Sequence, residues 1–274
     1  MIGAGRLAST LAVRLSDAGY EITEIIARDN PRSLQQTRRL SRKVKSRTCI
    51  AKRAKLDASI LWFCVPDSKI AAAAVEFAGR DLRNKIALHS SGVLSSDALA
   101  VLRKSGAAVA SVHPLMTFVR NSQPQLRNVP FAIEGDTRAV RGAKQLVNAL
   151  AGKSFAIRKQ DKVAYHAFAT MICPLLVALM SASERAAKLA GFPAPKARQR
   201  MMPIVRQTLG NYGRLGAAES FSGPLVRGDT ETIAQHLAVL GARPALKQVY
   251  VALAKAALEC LPTKNRDAIS RVIS

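Results

Sequence analysis

The sequence predicts two domains: an α/β domain over residues 1–158 and an all-helical domain over residues 159–274. In the first range, short apolar runs rich in β-branched residues alternate with helical patterns, which is typical of parallel strands joined by crossover helices. After Arg158, Ala- and Leu-rich helical stretches follow, and no further strand is predicted. A chain of 274 residues is long enough to form two separate cores.

Six segments of the α/β domain are predicted to be strands. Residues 59–65 are the most apolar of them and end at Pro66, which indicates a strand buried on both faces. The other five are residues 21–27, 85–89, 108–112, 130–133 and 154–157. Only Met1 and Ile2 precede the first glycine, whereas a strand usually has about five residues. The first strand is therefore expected to be truncated, and without it the sheet would lose its central strand.

A glycine-rich loop precedes the first predicted helix. Its first glycine permits a tight turn, its second lets the backbone approach a pyrophosphate, and its alanine lets the helix pack closely against the strand. The N–H groups at the start of the helix are then available to an anion. This loop predicts a doubly wound Rossmann fold with a mostly parallel sheet. The predicted cofactor-binding residues of the loop are Gly3, Gly5, Arg6, Leu7 and Ala8.

The residue at the end of the second predicted strand distinguishes NAD(H) sites from NADP(H) sites. NAD(H) sites place an Asp or Glu there to bind the ribose hydroxyls, whereas this chain has Ala27 and Arg28. Because Arg28 would attract a 2′-phosphate, NADP(H) is predicted in preference to NAD(H). The neighbouring Asp29 weakens this distinction, and Arg28 could instead be one of many surface arginines. Val65 and Pro66 are predicted to pass close to the adenosine side of the cofactor.

The formal net charge is +24, and eleven Lys and Arg residues lie between Arg28 and Lys55. A charge of this size attracts polyanions, so a nucleic-acid-associated protein stays open as an alternative. The basic window has no aromatic residue on which bases could stack and no nucleic-acid-binding motif. A solvated basic helix near a phosphate site is therefore favoured over a nucleic-acid surface.

The cysteines and one long apolar segment allow predictions about cellular location and membrane attachment. The four cysteines are scattered without metal-ligand spacing, so neither a disulfide framework nor a metal site is expected, and a cytoplasmic location is favoured. Residues 163–183 carry no charged side chain and are long enough to cross a membrane. Pro174 within the segment, with Lys162 and Glu184 at its ends, favours a buried interface helix and no membrane attachment.

Six short segments form a series that spans almost the whole chain. They are GAGRLA (3–8), CVPD (64–67), HSSG (89–92), HPLMTF (113–118), DKVAYH (161–166) and SGPLVRGD (222–229). In this order they resemble the Rossmann-like proteins that carry a C-terminal "domain of unknown function 2520", relatives of pyrroline-5-carboxylate reductase and the β-hydroxyacid dehydrogenases. The resemblance implies an NAD(P)-dependent oxidoreductase that forms a homodimer through its helical domain. Cys173 and Pro174 stand where Ser-Asn is common in that family, so this helix is expected to be kinked.

The resemblance also implies a catalytic pair at the start of the helical domain. Related β-hydroxyacid dehydrogenases have a Lys in this helix and an amide residue four positions later. Lys162 and His166 occupy these positions and share a helix face. Lys162 is the predicted proton donor, and His166 is predicted to orient or polarise a carbonyl. The alternative is a surface lysine in the first helical turn and a histidine buried at a domain interface.

Further candidates follow predicted strands, at the sheet edge where doubly wound folds bind ligands. Ser90 and His113 are predicted catalytic residues, and Ser91 is predicted to bind substrate. Ser91 could instead cap the next helix, and His113 with Pro114 could be a rigid turn. In the helical domain, Arg227 is the predicted ligand of a substrate carboxylate.

Together these features favour an NADP(H)-dependent oxidoreductase that reduces a small, anionic oxo acid or an imine by hydride transfer. A non-catalytic NADP(H)-binding sensor would carry the same cofactor residues without turnover. A nucleic-acid-associated protein would bind through residues 28–55, and its binding would weaken steeply as the salt concentration rises.

Overall fold

The computed structural model describes residues 1–120 and 122–274. Contacts between residues divide the chain into two compact units, Met1–Met171 and Ile172–Ser274. The division lies after Met171 rather than after residue 158. The physical reason is that the helix beginning at Lys162 is attached to the sheet of the first unit by hydrogen bonds of the Lys162 side chain.

The first unit contains a mostly parallel sheet. Its strands are Glu24–Ala27 (β1), Arg47–Ile50 (β2), Ile60–Phe63 (β3), Ile86–His89 (β4), Ala108–Pro114 (β5), Pro130–Gly135 (β6) and Lys153–Ala156 (β7). Strand β1 pairs with β2, and β3 to β7 pair in chain order. All pairs are parallel except β5 with β6. The predicted mostly parallel sheet is confirmed.

Met1 and Ile2 lie between β1 and β3. Ile2 forms parallel bridges with Ile26 on one side and with Phe63 on the other. Its N–H donates to the Trp62 carbonyl over 2.8 Å, and the Ile26 N–H donates to the Met1 carbonyl over 2.8 Å. The first strand is as short as the sequence predicts, yet these bonds keep the central connection of the sheet.

Helices cover both faces of the sheet, as in a doubly wound fold. They are Arg6–Asp17 (α1), Pro31–Lys43 (α2), Asp67–Val75 (α3), Ala100–Lys104 (α4), Thr137–Ala149 (α5) and Lys162–Thr170 (α6). Successive side chains of a strand point to opposite faces. Accordingly Trp62 packs in a core with residues of α1 and α5, and its neighbour Phe63 packs in a second core with residues of α3 and α4.

The second unit is helical, as predicted. Its helices are Leu176–Ala187 (α7), Ala194–Ser220 (α8), Pro224–Arg227 (α9), Thr230–Gly241 (α10), Pro244–Cys260 (α11) and Arg266–Val272 (α12). Ile233, Leu258 and Ile269 form part of a small core shared by α10, α11 and α12. The disturbance expected at Pro174 takes the form of a π-helical turn over Met171–Leu175.

One helical run, Lys159–Ala190, is long and apolar enough to cross a membrane by length and composition alone. The sequence predicts a buried interface helix here, but none of its most apolar window is buried in the single chain. Val163, Met171 and Val177 are 65%, 66% and 63% exposed. Because these apolar side chains are exposed in the single chain, burial of the run would require a further surface.

Candidate functional site

A cavity of about 470 Å³ lies beside the glycine loop. Its walls include Gly3 and Gly5 from the loop, Arg28 after β1, and Val65 and Pro66 after β3. Five of the predicted cofactor-binding residues therefore meet at one place, because the carboxyl ends of neighbouring parallel strands lie at the same sheet edge.

The other three residues of the predicted set lie around this cavity in different ways. Arg6 lines a second cavity that adjoins the loop. Ala8 is completely buried and packs in a hydrophobic core, as its predicted packing role requires, and Leu7 packs against the same core. The loop thus contributes backbone and packing rather than a row of ligand-binding side chains.

The loop backbone is shaped to receive an anion. Gly3 has a φ of +96°, and a Cβ built on it would lie 2.6 Å from the carbonyl oxygen of Cys64. Gly5 is the N-cap of α1 and provides no capping side chain. The first N–H groups of the helix are therefore free of a side-chain cap and can donate to a phosphate. A dinucleotide pyrophosphate fits this cradle in size and charge.

The turn between β1 and α2 holds Arg28 at the cavity. Asn30 caps α2 by accepting a hydrogen bond from the Ser33 N–H at 2.9 Å. The Ser33 hydroxyl in turn accepts from the Arg28 N–H at 3.1 Å. Gln36 on the same helix donates to the Ala4 carbonyl at 2.6 Å, which ties α2 to the glycine loop. Asn30 before a proline is a signal of a helix start that could have been found in the sequence.

The second cavity, of about 530 Å³, lies between α1, α2 and the loop after β5. It shares Gly5 and Gln36 with the cofactor cavity. Its basic lining residues are Arg6, Arg32, Arg39, Lys43 and Arg120, and none of its lining residues is acidic. Part of the high positive charge is thus placed beside the predicted phosphate site.

A second group of candidate residues lies where β4, β5 and α6 meet, with Lys162 at its centre. The Lys162 side chain has no exposed surface. Its Nζ donates to the carbonyl oxygen of Ser91 at 3.1 Å and to the hydroxyl of Ser111 at 2.7 Å. Burial lowers the pKa of the Lys162 amine, while the carboxylates of Glu134 and Asp67 act in the opposite direction. The alternative of a surface lysine is wrong, and so complete a burial argues against direct contact with a substrate.

Glu134 and Ser111 were not among the residues predicted from the sequence. These two residues are paired across β5 and β6. Glu134 is buried and accepts hydrogen bonds from the N–H and the hydroxyl of Ser96, at 2.6 and 2.9 Å. Its charge offsets that of the buried Lys162. A glutamate inside an otherwise apolar strand was the available signal.

The Ser91 hydroxyl is engaged in hydrogen bonds within the first unit. Its hydroxyl donates to Asp67 at 2.8 Å and accepts from the N–H groups of Val93 and Leu94, at 3.2 and 2.9 Å. The side chain is buried and the hydroxyl would have to exchange one of these bonds to reach a substrate, so the substrate-binding role of Ser91 stays a prediction. It caps the turn after β4, whereas the next helical segment is capped by Ser95, which accepts from the Asp97 N–H.

Ser90 and His89 support the same turn. The Ser90 hydroxyl accepts from the indole N–H of Trp62 at 2.8 Å. His89 is buried, with Nε2 at 2.9 Å from the Ser95 carbonyl and Nδ1 accepting from the Ser91 N–H at 3.1 Å. Burial lowers the pKa of His89 to about 4, so the ring is neutral at physiological pH. The catalytic role of Ser90 stays a prediction.

His113 lies next to the side chains of α6. Its Nδ1 is 2.9 Å from the Tyr165 hydroxyl, and its ring is perpendicular to that of His166 with 6.1 Å between centroids. Burial, together with the Lys162 cation, lowers the pKa of His113 to about 4. Burial raises the pKa of Tyr165 to about 12. Tyr165 was missed, although its position three residues after Lys162 puts it on the same side of the helix.

Arg227 belongs to the helical unit. It ends α9, its side chain is 65% exposed, and its guanidinium lies 3.9 Å from the Asp229 carboxylate. Asp229 accepts from the Thr232 N–H at 3.2 Å and so caps α10. The substrate-binding role of Arg227 stays a prediction. Across the described part of the chain, no three His, Cys, Asp or Glu side chains are grouped to hold a metal.

Solved structures with the same fold come from several enzyme groups. A Bacteroides fragilis protein described as a candidate NADP oxidoreductase matches at 21% identity and a TM-score of 0.78, covering 93% of this chain and 95% of its own. A reductive aminase from Aspergillus terreus, solved with NADPH and ethyl-5-oxohexanoate, matches at 12% identity and 0.69, covering 98% and 97%. A Coxiella burnetii pyrroline-5-carboxylate reductase matches at 16% identity and 0.58, covering 94% and 96%.

Two protein-family models match consecutive parts of the sequence. A Rossmann-like domain matches residues 1–114, and the domain of unknown function DUF2520 matches residues 129–257. No curated protein sequence matches the chain. The chain therefore combines a Rossmann-like domain with a DUF2520 domain, in the order that the sequence predicts.

Proposed function

We propose that this protein is an NADP(H)-dependent oxidoreductase that reduces a small oxo acid or an imine in the cytoplasm. The observation that carries the proposal is the cavity at the glycine loop, where a bare helix N-terminus and Arg28 lie together. The names of the similar structures support the same chemistry, since they include an NADP oxidoreductase, an NADPH-bound reductive aminase and a pyrroline-5-carboxylate reductase.

The cavity residues divide between the parts of the dinucleotide. Gly3, Gly5 and the start of α1 would hold the pyrophosphate, and Arg28 would hold the 2′-phosphate beside the capped start of α2. One lining residue, Glu76, is acidic, and it is the C-cap of α3 rather than a residue at the end of β1, where NAD(H) sites place their carboxylate. The bound cofactor would supply the hydride for reduction.

Replacing Arg28 with alanine is expected to weaken NADPH binding by about 10- to 100-fold, since a charge-assisted hydrogen bond contributes about 1.5–3 kcal/mol. NADH binding should change by less than about threefold, because NADH lacks the 2′-phosphate that Arg28 would bind. Isothermal titration calorimetry with each dinucleotide measures both constants. Exposed Arg141 on α5 provides a matched control: Arg141→Ala removes the same charge away from the cavity. Equal losses for the two dinucleotides would contradict the assignment of Arg28.

The substrate class is tested by following consumption of NADPH with a panel of small 2-oxo acids, cyclic imines, and ketones mixed with amines. Turnover of members of one class would select among oxo acid reduction, imine reduction and reductive amination. Tight NADPH binding without turnover of any of them would favour the sensor over the enzyme.

We also infer that two copies of this chain associate through the helical unit. Helix α8 carries Ile204, Tyr212 and Leu215 along one side, and the first two are 68% and 60% exposed. Exposed apolar residues on a helix that its own chain leaves uncovered are typical of a protein–protein interface. The family resemblance described above implies that the partner is a second copy of this chain.

Ile204→Glu is expected to convert the dimer to a monomer, because a carboxylate would be forced into the apolar interface without a partner. Sedimentation velocity measures the change in mass. Arg266→Glu on α12 is the control, since it introduces the same acidic side chain at an exposed position outside α8. A wild-type protein that sediments as a monomer would contradict the inference.

A further inference from the structure

Three side chains of the first unit form a cluster that is not part of the lining of the glycine-loop cavity: His113 at the end of β5, and Tyr165 and His166 in the first turns of α6. His113 and Tyr165 are joined by a hydrogen bond of 2.9 Å between Nδ1 and the phenolic oxygen, and their rings are nearly perpendicular. His166 packs its ring against the other side of the cluster. All three side chains are partly exposed, in contrast to Lys162 beneath them.

The turn after β4 fixes the two histidine rings. A Cβ on Gly92 would lie 2.5 Å from Cδ2 of His166 and 2.9 Å from Nε2 of His113. The backbone at Gly92 therefore packs directly against both imidazoles, and a side chain there would displace them. The cluster is held from three elements: β5, α6 and the loop at the end of β4.

The geometry points to Tyr165 and His113 as the proton-donating pair of this site, with the Tyr165 hydroxyl as the group that gives its proton to the reduced substrate. This assignment rests on the proposed reductase function. It replaces Lys162 in that role, because the Lys162 amine has no exposed surface and donates to Ser91 and Ser111 inside the fold.

The proton balance of the pair is complete. When Nδ1 of His113 carries its proton and donates to the phenolic oxygen, the Tyr165 O–H is free to point to a ligand. The O–H bond of Tyr165 breaks as a new O–H or N–H bond forms on the substrate. The phenolate then takes one proton from bulk solvent, which supplies the single proton consumed in each turnover, while His113 stays neutral and keeps its proton on Nδ1. The pair contributes one proton and no electrons, since the two electrons of reduction come with the hydride.

Burial and the neighbouring charges keep His113 neutral and Tyr165 protonated, as the proton transfer requires. Burial and the neighbouring Lys162, His166 and His89 lower the pKa of His113 to about 4, so the ring is neutral near pH 7. Burial raises the pKa of Tyr165 to about 12, so the phenol keeps its proton throughout the physiological range. Glu134 on β6 and Asp67 on α3 face Lys162 from the other elements and offset its charge.

The chain contains a matched control pair. In the helical unit, Nδ1 of His236 lies 3.2 Å from the Tyr250 hydroxyl, with the rings nearly perpendicular and 5.9 Å apart. Tyr165→Phe and Tyr250→Phe thus remove the same hydroxyl from the same kind of histidine partner. Only the first lies in the cluster at the strand ends.

Tyr165→Phe is expected to lower turnover by about 100-fold or more, which is the size of a general acid contribution. NADPH affinity, measured by calorimetry, should stay within about twofold of wild type because the variant leaves the glycine-loop cavity intact. Tyr250→Phe should retain wild-type turnover. Wild-type turnover in Tyr165→Phe would overturn the assignment, as would an equal loss in Tyr250→Phe.

A second readout requires neither substrate nor cofactor. Nitrogen NMR of the imidazoles should show the His113 Nδ1 resonance moving in Tyr165→Phe and remaining in place in Tyr250→Phe. An unchanged His113 resonance in Tyr165→Phe would overturn the pair even if no substrate had been found. If wild-type protein bound no NADPH, the proposed function would fail, and the His113 resonance would still decide whether the pair exists.

Discussion

Replacing Lys162 with methionine is expected to lower turnover by about 100-fold, the effect of displacing reacting groups by about 1 Å, and to destabilise the fold by about 1–3 kcal/mol. Methionine approximates the length of the lysine side chain without its charge, so the packing volume is largely kept. The Ser91 carbonyl and the Ser111 hydroxyl would then lose a buried donor, and Glu134 would lose the cation that offsets its charge. Removal of a desolvated ammonium offsets part of this cost.

A positioning role for Lys162 makes a prediction that a purely structural role does not. Because the Lys162 cation helps to lower the pKa of His113, Lys162→Met should raise that pKa from about 4 toward the ordinary value of 6.5. The folded-state pKa of His113 lies below its unfolded value, so its contribution to stability is lost as the pH falls from about 6.5 toward 4. The variant should lose less of its stability over this interval than the wild type loses.

Histidine titration by NMR and urea denaturation at several pH values measure these two effects. Lys144→Met on α5 is the control, since it removes an exposed charge of the same kind from the same unit. An unchanged His113 titration in Lys162→Met, with turnover lowered, would leave Lys162 a structural residue. Wild-type turnover in that variant would exclude any part for Lys162 in the reaction.

The glycine-loop cavity could be predicted from the sequence, whereas the site around Lys162 could not. The glycine-loop site depends on local signals: a motif at Gly3 and Gly5, and the residue at which each apolar strand ends. Parallel strands bring those ends to one edge whatever the details of packing. Five of the residues that line this cavity could therefore be named from the sequence alone.

The Lys162 site depends on contacts that are distant in the sequence. Lys162 is hydrogen-bonded to residues 71 and 51 positions away, Ser91 and Ser111. A lysine in the first turn of a helix gives no local signal of burial, and its burial is determined by the pairing of β4, β5 and β6. For the same reason the hydrogen bonds of the Ser91 side chain could not be predicted from the sequence. Its hydroxyl is occupied by Asp67, which begins a different helix.

Replacing Gly3 with alanine is expected to reduce NADPH affinity by more than about 100-fold, the largest effect of any single methyl group in the cofactor site. The new Cβ would lie 2.6 Å from the Cys64 carbonyl oxygen and 3.1 Å from Cγ1 of Val65. Cys64 donates its own N–H to Ile2, so the strand cannot move away without breaking the central connection of the sheet. The loop must move instead, and it carries the N–H groups that would hold the pyrophosphate.

Gly19→Ala separates this clash from the strain of a positive φ. Gly19 has a φ of +87°, close to the +96° of Gly3, yet a Cβ there has no neighbour within 4 Å in the described structure. Both variants should lose about 1–2 kcal/mol of stability from the left-handed backbone, as measured by urea denaturation, but Gly19→Ala should keep its NADPH affinity. If calorimetry gave both variants the same affinity, the close approach of the loop to β3 would not be needed for binding, and the cofactor assignment would depend on Arg28 alone.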